Sequence, residues 1–185
     1  MTDHLPLTPA ARAATQVAQE FVRAVEAKDL DGVAATLHPG ARQLFLHTRA
    51  TTSAEGIADL IDGRRRGLCV ADLKGSKDVL AYTEALFRKF TPLVWRDHVW
   101  SVSPRGEVFF QGVGDMALTR DGTPYRNRYL TRFDVVDGRI VLMAEYANAF
   151  RYAGLRVRPN GAEFRGLLRA IGRLVTPTPS APTAP

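Results

Sequence analysis

The sequence predicts an α+β domain in which a cone-like, curved antiparallel sheet wraps over N-terminal helices and encloses a pocket. Three observations lead there. Apolar residues recur at helical spacing through most of residues 9–90. After Thr91-Pro92 the texture changes to four strand-like runs separated by short turns. The last two runs share a face that is apolar near their common turn and polar at its far end, as ligand pockets are built. Helices first and strands last place the helices on one face of the sheet.

The first helix spans residues 9–27. Ala14, Val17, Ala18, Phe21, Val22 and Val25 form its apolar stripe, and Thr8 before Pro9 is a start signal. Asp29 caps a short second helix over 30–37, stopped by Pro39-Gly40. Residues 41–47 read as a strand, 48–53 as a polar connector and 54–66 as a helix ending at Gly67. The stretch 68–75 shows no clear period. Ser76 then caps a further helix to Phe90, with Val79, Tyr82, Leu86, Phe87 and Phe90 along its apolar side. The four strand runs are 93–103, 107–119, 125–136 and 139–148, and their short turns imply antiparallel pairing. Residues 162–175 read as a final helix. The expected division is an arm over 1–8, one domain over 9–155, a basic helical extension over 156–175 and a disordered tail over 176–185, rich in Pro, Thr, Ser and Ala.

Composition removes several classes. With 185 residues and 45% hydrophobic usage, the chain is globular and long enough to bury a core. Its one cysteine, Cys69, rules out an internal disulfide. No apolar run approaches the ~20 residues of a membrane helix, and no secretory signal opens the chain, so the expected compartment is the cytoplasm. The four histidines, His4, His38, His47 and His98, show no ligand spacing, so no metal is expected. A net charge of +6 raises the question of nucleic acid. The excess is local, in Arg64, Arg65 and Arg66 and in the arginines after residue 150. No aromatic motif accompanies it, so a solvated basic face is the simpler account.

Alternation in the run 125–136 puts Tyr125, Asn127, Tyr129, Thr131, Phe133 and Val135 on one face and Arg126, Arg128, Leu130, Arg132 and Asp134 on the other. The odd set is the interior one, because three arginines cannot be buried unpaired. A three-residue Val136-Asp137-Gly138 loop keeps odd residues beside odd. It sets Val141 beside Phe133, Met143 beside Thr131 and Glu145 beside Tyr129, with Asn127 near Ala147.

Glu145 is the leading catalytic candidate. It stands in the apolar run Val141-Leu142-Met143-Ala144-Glu145-Tyr146, and a buried carboxyl gains the raised pKa that acid/base chemistry uses. The alternative is a salt bridge to Arg128 or Arg132, or exposure at the strand end. Asp115, in Gln111-Gly112-Val113-Gly114-Asp115-Met116, is the second acid/base candidate. The two glycines signal either a bulge that re-aims it inward or a close backbone approach, in which case it is a surface Asp. Tyr129 and Asn127 are candidates to hold a substrate oxygen. Tyr82, Met143 and Phe133 are candidate pocket walls, and His47 reaches toward the mouth. No cofactor is expected.

The run Tyr125-Arg126-Asn127-Arg128-Tyr129-Leu130-Thr131-Arg132-Phe133-Asp134, then Asp137-Gly138-Arg139-Ile140, then Glu145-Tyr146-Ala147-Asn148-Ala149-Phe150, resembles the SnoaL-like branch of the nuclear transport factor 2-like (NTF2-like) superfamily. Within that branch it is most similar to phenazine-biosynthesis A/B-type proteins. The resemblance implies a curved-sheet cone with a cavity and a homodimer packed through the sheet. It also implies cofactor-free cyclase or isomerase chemistry on small intermediates of secondary metabolism, with Glu145 at the family's acid/base position. Approximately Thr83 and Phe87 stand where the phenazine-type helix carries a His and a Ser. The competing reading is a small-molecule- or partner-binding module without turnover.

Overall fold

A computed structural model describes residues 7–47 and 68–170. The arm over 1–6, the expected connector and helix at 48–66 and the tail beyond 170 lie outside the described residues.

Helix α1 (Pro9–Glu26) starts where the Thr8 side chain accepts a hydrogen bond from the Ala11 amide, with Pro9 in the first turn. The Asp29 side chain caps α2 (Leu30–Thr36) through the Gly32 amide. Pro39-Gly40 does not stop this helix. It ends at Thr36, and β1 (Leu37–His47) runs through both residues. The stretch without a clear period is strand β2 (Leu68–Lys74). In α3 (Ser76–Lys89), Ser76 is the first helical residue. The cap is Gly75, held at φ 82°, where only glycine sits without strain. Strands β3 (Phe90–Val102), β4 (Val108–Leu118), β5 (Pro124–Val136) and β6 (Arg139–Ala147) follow, then the short α4 (Ala149–Ala153) and α5 (Gly161–Ala170).

The six strands form one curved sheet in the order β2-β1-β6-β5-β4-β3. It is mixed rather than wholly antiparallel, because β1 lies parallel to β6. The short-turn argument governs only strands that follow one another, and β3 to β6 are indeed antiparallel neighbours. It says nothing about which strand β1 joins.

The β5–β6 register differs from the expected one. Asp137 (φ 48°) and Gly138 (φ 70°) form a two-residue turn in which both backbones are left-handed, with Val136 opposite Arg139. The register then shifts between Asp134 and Val135, and this irregularity restores odd beside odd. The interior parity was therefore right and the device wrong. Met143 faces Phe133, not Thr131, and Glu145 faces Thr131, not Tyr129.

The concave side is filled at its turn end by α1. The Phe21 ring meets Phe133 edge-on at 5.8 Å, and Val22, Val25, Met143 and Ile140 close the packing. Truncating such a Phe to Ala typically costs about 3–5 kcal/mol. The other face is less wet than the arginine pattern implied. Arg126 and Arg128 are exposed, but Arg132 is buried, donating to Asp134 at 2.7 and 2.8 Å and meeting Glu107 at 3.1 Å. Beside it, Leu44, Leu130, Leu142 and Tyr146 form a second apolar cluster. This patch is already buried within one chain.

The 156–175 extension is no appendage up to Ala170. Helix α5 packs on β2, and Gly166 sits so close that an added Cβ would lie 2.9 Å from Leu73. Its Arg165 and Arg169 both bind Asp78 of α3, so part of the expected basic face is tied up in ion pairs within the chain.

Candidate functional site

At the open end of the cone lies a cavity of ≈ 280 Å³. Strand β5 contributes Tyr125, Asn127 and Tyr129, and β6 contributes Glu145 and Ala147. Phe45, Trp95 and Met116 come from the neighbouring strands, and Tyr82 and Leu86 from α3. Strand β2 adds Val70, Ala71 and Leu73, and a C-terminal wall adds Tyr152 of α4, then Val157, Glu163 and Leu167.

Strand alternation aims Glu145 inward with Tyr129 and Asn127. Burial pushes its carboxyl up from 4.5 to about 7. Neither Arg128 nor Arg132 neutralises it, and among the described residues it has no hydrogen-bond or ion-pair partner. The surface it keeps is turned to the cavity it lines. Its charge is felt by Tyr82, Tyr125, Tyr129 and Tyr152. Their phenols are pushed above the usual range, chiefly by burial. All four therefore stay protonated at physiological pH and act as donors.

The phenols are organised. Tyr129 donates to the Tyr125 oxygen at 3.3 Å, and the Asn127 amide donates to the same oxygen at 3.0 Å. Two phenols and one bond between them leave one phenolic proton without a protein acceptor among the described residues. Asn127 has no donor left for a substrate oxygen. Its second amide proton goes to the Asn148 carbonyl at 3.1 Å, and its oxygen accepts from the Arg128 amide. The expected oxygen-holding residues Tyr129 and Asn127 both line the cavity, and both are bonded to the Tyr125 hydroxyl. Tyr125 is legible in the sequence as a residue of the interior face of β5, but alternation alone assigns it no role.

A second polar group closes the opposite wall. Glu163 accepts from Lys89 Nζ at 2.6 and 2.8 Å, from the Tyr152 hydroxyl at 2.8 Å and from the Asn160 amide at 2.7 Å. The Asn160 side chain accepts from the Glu163 amide in return, a capping box that starts α5. The Asn160-x-x-Glu163 spacing was the readable signal. Its partners, 11 and 74 residues away, were not.

Several expected site residues lie elsewhere. Asp115 is on the outer face, bound to Arg126 at 2.9 Å and Arg96 at 3.4 Å. The pairing of β4 with β5 runs unbroken past it. The glycines beside it mark close approach rather than a bulge: a Cβ on Gly114 would lie 2.8 Å from the Tyr129 ring, and one on Gly112 2.7 Å from Phe110. The irregularity falls in β3, between Arg96 and Val99, where Asp97 takes φ 55°. Met143 and Phe133 are packed in the closed end against α1 and do not line the cavity. His47 is not a lining residue either. Its Nδ1 accepts from the Ala149 amide at 3.1 Å and its ring meets Phe150, which fixes the corner whose Asn148 and Ala149 do line the cavity. Thr83 bonds the Val79 carbonyl within α3. Among the described residues, no three His, Cys, Asp or Glu side chains gather as a metal site.

The SnoaL-like domain family model matches residues 18–143. Solved structures share the fold. A candidate SnoaL-like polyketide cyclase from Jannaschia sp. CCS1 is 16% identical, with a TM-score of 0.62 over 84% of this chain and 99% of that one. A phenazine biosynthesis-related protein from Pseudomonas aeruginosa is 12% identical, with a TM-score of 0.61 over 86% and 93%. An LEH-like epoxide hydrolase from M. tuberculosis is 14% identical, with a TM-score of 0.56 over 88% and 98%. At these identities the likeness concerns the fold. No curated protein matches the sequence.

Proposed function

Because the chain belongs to the SnoaL-like family of the NTF2-like superfamily, we propose that it is a cofactor-free acid/base enzyme, a cyclase or isomerase of secondary metabolism. Its substrate is a small carbonyl-, imine- or polyene-type intermediate held in the cavity. The observation that carries this reading is Glu145: a carboxyl with no partner among the described residues, desolvated in an aromatic cavity and titrating at about 7. A base poised near ambient pH is present in both of its forms and can take a proton and give it back.

In this mechanism the Glu145 carboxylate removes a proton from the carbon next to a carbonyl or imine. The electron pair left on carbon moves to the heteroatom, and the spare phenolic proton of the Tyr125–Tyr129 pair stabilises the charge there. The electron pair then returns to form a new bond at carbon, and the Glu145 acid delivers its proton to a second position. With Asp115 on the outer face, one carboxyl serves both directions. That favours a proton shift or an enol-driven ring closure over a dehydration that needs a separate acid and base.

The test is hydrogen exchange in heavy water. Small cyclic ketones are incubated with the protein, and loss of the signal from the carbon-bound protons beside the carbonyl is followed by NMR. Wild-type protein should accelerate the exchange, and Glu145→Gln should slow it by about 10²–10⁴-fold. The same acceleration in the glutamine variant sinks the proposal. No acceleration by wild type favours the binding-module reading.

A further inference from the structure

The charge balance of the cavity narrows what it takes in. Among the described residues, its lining carries no Lys, Arg or His, and its two acids are not equivalent. Glu163 is neutralised by Lys89, whose Nζ faces it at 2.6 Å and is also engaged by the Tyr152 hydroxyl at 3.0 Å. Glu145 is left as the one uncompensated acid of that lining. The aromatic rings of Tyr82, Trp95, Tyr125, Tyr129 and Tyr152 line the same cavity, and a ring face turned to a ligand attracts positive charge. A volume of ≈ 280 Å³ is about twice that of an apolar cavity known to hold benzene, so it accommodates two to three fused rings.

We propose that this cavity selects a fused-ring ligand bearing a basic nitrogen, an amine or imine that sits as a cation against Glu145, and that it rejects anionic ligands of the same shape. An anion would meet a carboxyl, the negative faces of the rings and no cation in the described lining. A neutral ketone of equal shape meets only neutral donors there, such as the spare phenolic proton, and gains no charge pairing with Glu145. The proposal deepens the enzyme reading and rests on it for the identity of the site, but binding and turnover test them separately.

The experiment compares three isosteric probes by calorimetry at neutral pH: naphthylmethylamine, methyl naphthyl ketone and naphthoate. The amine should bind about tenfold or more tightly than the ketone, and the naphthoate should bind more weakly than either. In Glu145→Gln, checked for folding by its thermal transition, the amine's advantage should vanish while the ketone's affinity changes little. Naphthoate binding as tightly as the amine overturns the proposal, as does failure of all three to bind. An amine preference that survives Glu145→Gln overturns the assignment to Glu145. The wild-type ranking needs no variant, so a misfolded mutant does not shelter the idea. Proton exchange unaffected by Glu145→Gln, with this ranking intact, would sink the enzyme reading alone.

Discussion

Two glutamates line the same cavity, one from the sheet and one from the C-terminal segment, and their surroundings differ sharply. Glu163, on the C-terminal wall, is held by a lysine, a phenol and two bonds to its own cap. Glu145, on the sheet wall, has no such partner among the described residues. The comparison teaches that burial alone does not make a site. A carboxyl whose bonds are all made is a fastening, and the one left wanting a proton is reactive.

The largest expected effect comes from breaking the fastening. Lys89→Met leaves Glu163 buried without its counter-ion and should cost about 3 kcal/mol in urea unfolding. A cost under about 1 kcal/mol would erase the distinction between the two walls.

The next effect has the opposite sign. In the folded chain Glu145 titrates at about 7, against 4.5 as the reference for an unfolded one. Between those values the folded state holds a proton that the unfolded state has released. Stability should therefore fall as pH rises through that window, and the whole penalty is present above it. Glu145→Gln should remove the penalty, raising stability by about 2–3 kcal/mol at pH 8 and leaving it nearly unchanged at pH 4. Denaturant midpoints across that range check this. A glutamine variant less stable at pH 8 would mean that Glu145 has a favourable partner when charged.

The smallest effect belongs to the discarded candidate. Asp115→Asn on the half-exposed outer face should change stability by less than about 1 kcal/mol and leave proton exchange unaltered. A large loss of exchange would return Asp115 to the mechanism.

Much of this was legible because it is local. The Thr8 and Asp29 caps, the α1 stripe, the β3 to β6 strand runs and the inward parity of Glu145 all follow from residues within a turn or a strand of one another. What failed was longer in range or degenerate. Asp137-Gly138 fits a two-residue or a three-residue loop, and the choice moved Met143 and Phe133 two positions along the partner strand, into the closed end. Gly112 and Gly114 fit a bulge or a close contact, and only the rings of Phe110 and Tyr129 packed against them decide. The Lys89–Glu163 pair spans 74 residues, and no period or spacing announces it.

The C-terminal wall has one more consequence. Tyr152, Glu163 and Leu167 fall after the last strand, which ends at Ala147, yet they shape the hollow. A lining segment laid against the sheet from outside can be exchanged without shifting the register of any strand. Diversification can thus proceed by swapping this tailpiece, altering which molecules are admitted while the proton-handling chemistry stays anchored in the sheet.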